Sequence, residues 1–85
     1  MAALTKAEVG TVSEELCKTY PDVNYSKNSV FLAVQAVEDW WELTATKQQL
    51  SAAIDAATTP VIFSNNKKKK IAAEWLQMKA AKEGA

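Results

Sequence analysis

Turn-forming residues are scarce in this chain: Gly10 and Gly84 are its only glycines, and Pro21 and Pro60 its only prolines, in 85 residues. A small sandwich or barrel needs a tight turn roughly every 8–12 residues, and glycine and proline make most of them. A β architecture is therefore starved of corners, and the long stretches between the prolines are left to form helices. Apolar residues make up 48% of the chain and charged residues 24%, which is too hydrophobic for disorder. A chain of this length buries only about 60% of its unfolded surface, so its stability margin is narrow and partners matter. The expectation is one all-α domain over residues 1–85.

Three periodic segments organise that domain. Thr5-Lys6-Ala7-Glu8 has the spacing of a capping box, in which the Thr5 hydroxyl accepts from the Glu8 amide and the Glu8 carboxylate reaches back. Val9, Val12, Leu16 and Tyr20 then recur at steps of three and four, and Pro21 ends the run because the residue before a proline resists the α conformation. This predicts a first helix over about residues 5–20. After the loop PDVNYSKNS, Val30, Ala33, Val34, Val37, Trp40 and Trp41 share a face, and the phase continues through Leu43, Lys47, Leu50, Ile54 and Ala57. Thr44-Ala45-Thr46 is a weak point, with two β-branched residues and a possible second capping box from Thr46 to Gln49. The unbroken phase nevertheless predicts one long helix over about residues 27–57. Val61, Ile62 and Phe63 anchor an extended turn, and Ser64 caps a last helix to about residue 82, with Ile71, Ala72, Trp75 and Met78 inward. Together these make a small three-helix bundle with a long central helix. Its expected core includes Val34, Val37, Leu50, Ile54, Ile71 and Trp75.

Ten lysines and ten acids cancel overall but not along the chain. Residues 1–63 hold four lysines and eight acids, a net of −4, while residues 64–85 hold six lysines and two acids, a net of +4. Such polarity suits head-to-tail contact between copies or docking between unlike surfaces. Arginine and histidine are both absent. That removes the planar fork for bidentate phosphate or guanine recognition, the commonest metal ligand and the commonest acid–base catalyst, and with them most enzyme classes. Cys17 is the single cysteine, so no internal disulfide forms, and beside Leu16 it reads as a small packed side chain rather than a nucleophile. The opening MAALTKAEVG lacks the basic and apolar regions of a signal peptide, and no run approaches the roughly 20 apolar residues of a membrane span, so the chain is expected to stay in the cell that makes it.

Glu38, Asp39 and Glu42 gather beside two tryptophans, the nearest thing to a catalytic or metal cluster. Glu38 and Glu42 lie on the face expected to be solvated, without a histidine or nucleophile, and one helix face presents too few oxygens for a divalent ion. No catalytic group, cofactor or metal is expected. Trp40-Trp41 carries more information. Adjacent helical residues point about 100° apart, so both indoles are buried only if the bundle flanks them on two sides. An indole left at the rim is a typical contact anchor, and Trp41 is the expected one.

Lys67, Lys68, Lys69 and Lys70 occupy the first turn of the last helix, where the helix dipole disfavours cations by roughly a few tenths of a kcal/mol each. Something has to offset that cost. The four fan through about 300°, and Lys68 lies on the stripe of Ile71, Ala72 and Trp75, where it has to snorkel, leaving Lys67, Lys69 and Lys70 to face outward. Neutralising three or four phosphates gives a salt slope of only about −3 to −4, and no aromatic platform adjoins the run, so nucleic acid is disfavoured as a partner. The run is either a solubilising turn or a surface for an acidic protein. The candidate partner-binding residues are Trp41, Lys67, Lys69 and Lys70.

The succession YPDVNYS, AVQAVEDWWE, LSAAIDAATTP and FSNNKKKKIAAEWLQMKA resembles small helical proteins encoded in the virion structural modules of tailed bacteriophages and prophages. The likeness covers nearly the whole chain and rests on Tyr20-Pro21, Glu38-Asp39-Trp40, Ala53-Ile54-Asp55 before Thr59-Pro60, and a lysine-rich helix start followed by Trp75-Leu76. It implies a non-enzymatic, head-associated virion protein, a capsid auxiliary or connector-region component made in the bacterial cytoplasm, whose partners are other virion proteins or copies of itself. The reading from a different class is a small regulatory module, such as a phage inhibitor or host-interaction protein, acting as a free monomer.

Overall fold

The computed structural model describes residues 3–20, 25–41 and 46–84. Among them four α-helices follow in order: α1 Lys6–Thr19, α2 Lys27–Trp40, α3 Lys47–Thr58 and α4 Asn65–Gly84, with no strand among the described residues. Each helix starts on a hydroxyl residue whose oxygen accepts an amide otherwise left without a partner. Thr5 Oγ1 accepts from the Glu8 amide at 3.2 Å while Glu8 Oε1 accepts from the Thr5 amide at 2.8 Å, the expected capping box. Ser26, Thr46 and Ser64 accept from the amides of Ser29, Gln49 and Lys67 at 3.1, 3.1 and 3.2 Å.

The all-α expectation holds, but the long central helix does not. α2 ends at Trp40, with its C-cap Trp41 still in the α region, and Thr46 adopts an extended conformation, φ −130° and ψ 153°, to cap a separate helix. Residues 42–45, including Leu43 and Glu42, lie outside the described residues. An unbroken helix over residues 27–57 would run about 46 Å at 1.5 Å per residue. The whole molecule measures 34 × 29 × 19 Å, so the far half of such a helix would have nothing against which to bury Leu50 and Ile54. Folding α3 back along α2 buries both residues.

Cross-links between helices fix their directions. Lys82 near the end of α4 bonds Glu8 near the start of α1, and Lys67 at the start of α4 bonds Tyr20 at the end of α1, so α1 and α4 are antiparallel. Tyr25, just before α2, donates from its hydroxyl to the Ile62 carbonyl at 3.5 Å and accepts from the Ser64 amide at 3.3 Å, with its ring 4.3 Å from that of Phe63. The start of α4 and the end of α3 therefore lie beside the start of α2, which makes α2 and α4 parallel and α3 antiparallel to both. Between α3 and α4 the link is polar: Lys68 Nζ sits 2.9 Å from Asp55 Oδ1 and donates to Ser51 Oγ at 2.6 Å. The α3–α4 connection contains a cis Thr59–Pro60 peptide and is closed by the buried Thr58, whose hydroxyl lies 2.9 Å from the Ile54 carbonyl and 2.8 Å from that of Val61.

Val9, Val12 and Leu16 of α1 meet Val30, Val34 and Val37 of α2 in the core, with Phe63, Ile71 and Trp75 closing it from α4 and its approach. All six residues expected in the core are buried. Ile62 is not an anchor of the turn: Phe63 turns inward and Ile62 outward. No helix among the described residues is long and apolar enough to cross a membrane.

Candidate functional site

The candidate residues form two groups: Trp41 is the C-cap of α2, and Lys67, Lys69 and Lys70 stand in the first turns of α4, whose start lies beside the start of α2. At the far end of α2, Trp40 is 47% exposed and Trp41 38%. Trp41 stands on the buried Trp75, ring centroids 5.0 Å apart and planes at 42°, so one face of its indole is packed and the rest meets solvent. Leu76, 49% exposed, follows Trp75 on α4. Beneath this edge lies Glu38. Expected on a solvated face, it is half-buried and accepts from two elements at once, the Leu4 amide at 2.6 Å and the Trp75 indole N–H at 3.3 Å. Glu38 thus ties the segment before α1 to α2 and α4. Its position is four residues after the buried Val34, at the margin of the inward stripe, and that spacing was the available sign.

The same end holds a second clasp. Lys82 Nζ donates to Glu8 Oε1 at 2.6 Å and to the Ala3 carbonyl at 2.7 Å. The Lys82 ammonium is the main cause, and the Thr5 amide the next, of a Glu8 carboxyl held below its ordinary value.

At the near end of α2 the lysines separate into different roles. Lys67, expected to face a partner, is only 7% exposed. Its Nζ donates to the Tyr20 carbonyl at 3.2 Å and lies 5.9 Å from the ring centres of both Tyr20 and Tyr25. Tyr20 is the C-cap of α1, and the negative end of that helix favours a cation. A lysine poorly placed for its own helix is thus well placed for the antiparallel neighbour, which offsets the cost of the first-turn charge. Lys68 pairs with Asp55 rather than simply snorkelling. Lys70 is exposed, with Nζ 4.4 Å from the Tyr20 ring centre, a cation–π contact. Lys69 is exposed and has no partner among the described residues.

The fold therefore keeps Trp41, Lys69 and Lys70 at the surface, withdraws Lys67 into the interior, and does not bring the tryptophan and lysine sets together. What the sequence reading missed is the use of Tyr20 and Tyr25 as an aromatic seat for Lys67, for which the only sign was their place at the ends of the α1–α2 loop. Cys17 is half-buried beside the core. Among the described residues no group of three His, Cys, Asp or Glu side chains is placed to hold a metal ion. Comparison with known proteins finds no matching family model, no matching curated protein and no matching solved structure.

Proposed function

We propose that the chain is a non-enzymatic structural protein of a tailed-bacteriophage virion, a small head-associated component that works through contacts with other virion proteins and with copies of itself. The observation that carries the reading is the pair Trp40 and Trp41. A chain with a narrow stability margin gains from burying its largest apolar side chains, yet two of its three indoles stay at the surface on one helix end. Exposed, rigid aromatic groups of this kind anchor protein interfaces, where Trp is enriched among the residues that matter most.

The test is composition of the particle. Quantitative mass spectrometry of purified virions is expected to find the chain at a fixed ratio to the major head protein, with Trp41→Ala reducing incorporation while circular dichroism shows the helices intact. A chain absent from particles and recovered as a free monomer from infected cells would replace this reading with that of a regulatory module.

A further inference from the structure

We infer that the open side of the α1–α2–α3 layer, centred on the α2 stripe Asn28, Leu32, Gln35 and Asp39, is a two-fold interface between two copies of this chain. It gives the copy-to-copy part of the virion reading a surface distinct from the tryptophan edge, and the contact itself holds whether or not the chain enters a particle.

The layer is covered on one side only. α2 packs between α1 and α3, and α4 lies across α1 and α2. The molecule is 19 Å thick, about two helix diameters, so α4 takes one side of the layer and no described helix lies over the other. On α2 the covered side is marked by Glu38 and Trp41, which both touch Trp75. Asn28, Leu32, Gln35 and Asp39 follow one another at steps of four, three and four, a single stripe about 120° round from that side. Three of them are exposed and Gln35 is half-buried. Leu32 is 38% exposed at the middle of the helix that has neighbours on its other sides. On α3, Ser51 and Asp55 hold Lys68 of α4. Ala53 and Ala57 stand two residues on from each, about 200° round, so the flank of the open side carries only methyl groups and lets another molecule approach closely.

The α2 stripe is complementary to itself. A two-fold axis passing the middle of α2, between Ala33 and Val34, lays the stripe antiparallel on its copy and gathers Leu32 and Gln35 of both molecules at the axis. The outer positions then pair Asn28 with Asp39 twice over, an amide donor facing a carboxylate whose Oδ1 the Gln35 side chain already orients at 2.9 Å. Parallel stacking would set Asp39 against Asp39, a repulsion that selects the antiparallel arrangement. Asp39 is the one charge of the stripe, since Lys6 and Lys47, which start α1 and α3, do not belong to it. Size agrees. The broad side of the molecule, 34 × 29 Å, outlines roughly 1,000 Å², against roughly 800 Å² per partner in a standard interface. Because the same surface serves both partners, the contact closes as a dimer.

Sedimentation velocity on the purified chain tests this. The parent is expected to show a monomer–dimer equilibrium that shifts with concentration and stops at the dimer. Leu32→Glu sets two carboxylates together at the axis and is expected to weaken dimerisation by about 30-fold, with helix content checked by circular dichroism. Asn28→Asp separates the contact from the fold. An acid in the first turn of α2 favours the helix, so this monomer should melt at or above the parent temperature, while its dimer weakens about tenfold because two carboxylates now face each other. Adding Asp39→Asn restores one amide and one carboxylate to each pair, keeps an oxygen for Gln35, and should recover the parental dimer. An Asn28→Asp protein that dimerises like the parent, a double variant as weak as the single, oligomers that grow past the dimer, or a parent monomeric up to millimolar concentration would each overturn the inference. A dimeric chain absent from purified particles would leave this contact standing and remove the virion reading instead.

Discussion

The two ends of α2 handle their conspicuous residues in opposite ways. At the lysine end, two of four consecutive cations that look like a surface are taken into the fold, Lys67 under Tyr20 and Tyr25 and Lys68 against Asp55 and Ser51, while Lys70 lies over Tyr20 from the surface. At the tryptophan end, two side chains that look like core are left outside, and a carboxylate that looks like surface, Glu38, is drawn in beneath them. Residue type alone therefore predicts location poorly when a small bundle must satisfy helix ends. A charge is buried where a neighbouring helix terminus or indole N–H gives it a partner, and an aromatic ring is exposed where the helix that should cover it has turned away.

The strongest way to sharpen that contrast is to compare the two stacked indoles. Trp75→Ala is expected to cost about 3–5 kcal/mol, because a fully buried ring is replaced by a cavity and Glu38 loses one of its donors. Trp41→Ala removes only the outer member of the pair and is expected to cost about 0.5–1.5 kcal/mol. Urea denaturation of both variants checks this, and equal losses would mean that the exposed indole is as structural as the buried one. The lysine end offers the parallel test. Lys67→Ala leaves the Tyr20 carbonyl without its charged donor and is expected to cost about 1–3 kcal/mol, whereas Lys69→Gln should stay within about 0.5 kcal/mol of the parent. If the two lysine variants melt alike, the seat under Tyr20 contributes nothing to stability. Glu38→Gln is expected to fall between them, at about 1 kcal/mol, since the amide oxygen still accepts one bond but the charge is gone; native-state hydrogen exchange should speed up at the Leu4 amide.

Much of the fold could be read from the chain because caps and stripes are local. Thr5, Thr46 and Ser64 stand where their amide partners require them, and Val9, Val12 and Leu16 of α1 and Ile71 and Trp75 of α4 are buried as their spacing demands, with Tyr20, Ala72 and Met78 half-buried. The break between α2 and α3 had a sign in Thr44-Ala45-Thr46 and the Thr46 cap, but the apolar phase of residues 30–41 carries on through Leu50 and Ile54, and a continued helix and a refolded one share that phase. The decision belongs to tertiary burial, which gives α3 a surface only if it doubles back. Surface exposure was legible at Trp41 and Lys69 and not at Lys67, since Lys67 and Lys68 stand four residues before Ile71 and Ala72 respectively and both border the inward stripe. Which of them goes under depends on where α1 ends, and periodicity within α4 carries no information about that.

The smallest expected effect concerns charges placed with their helix dipoles rather than against them. Glu8 in the first turn of α1 and Lys82 in the last turn of α4 each favour their own helix as well as each other, unlike Lys67, which is favoured only by its neighbour. The folded state holds the Glu8 carboxyl below its ordinary value of 4.5, with the Lys82 bond as the largest cause. In the unfolded chain the carboxyl binds a proton more readily, so the stabilisation is fully present above the ordinary carboxylate range and is lost as pH falls through the lowered folded value. Glu8→Gln keeps an oxygen for the Thr5 amide and removes the charge that Lys82 meets. Stability measured against pH is therefore expected to show the parent above the variant near neutrality, the gap closing in acid and narrowing in high salt because the pair is near the surface. A gap that persists undiminished below the carboxylate range would mean that ionisation of Glu8 is not what the clasp uses, and that the capping box alone fixes the start of α1.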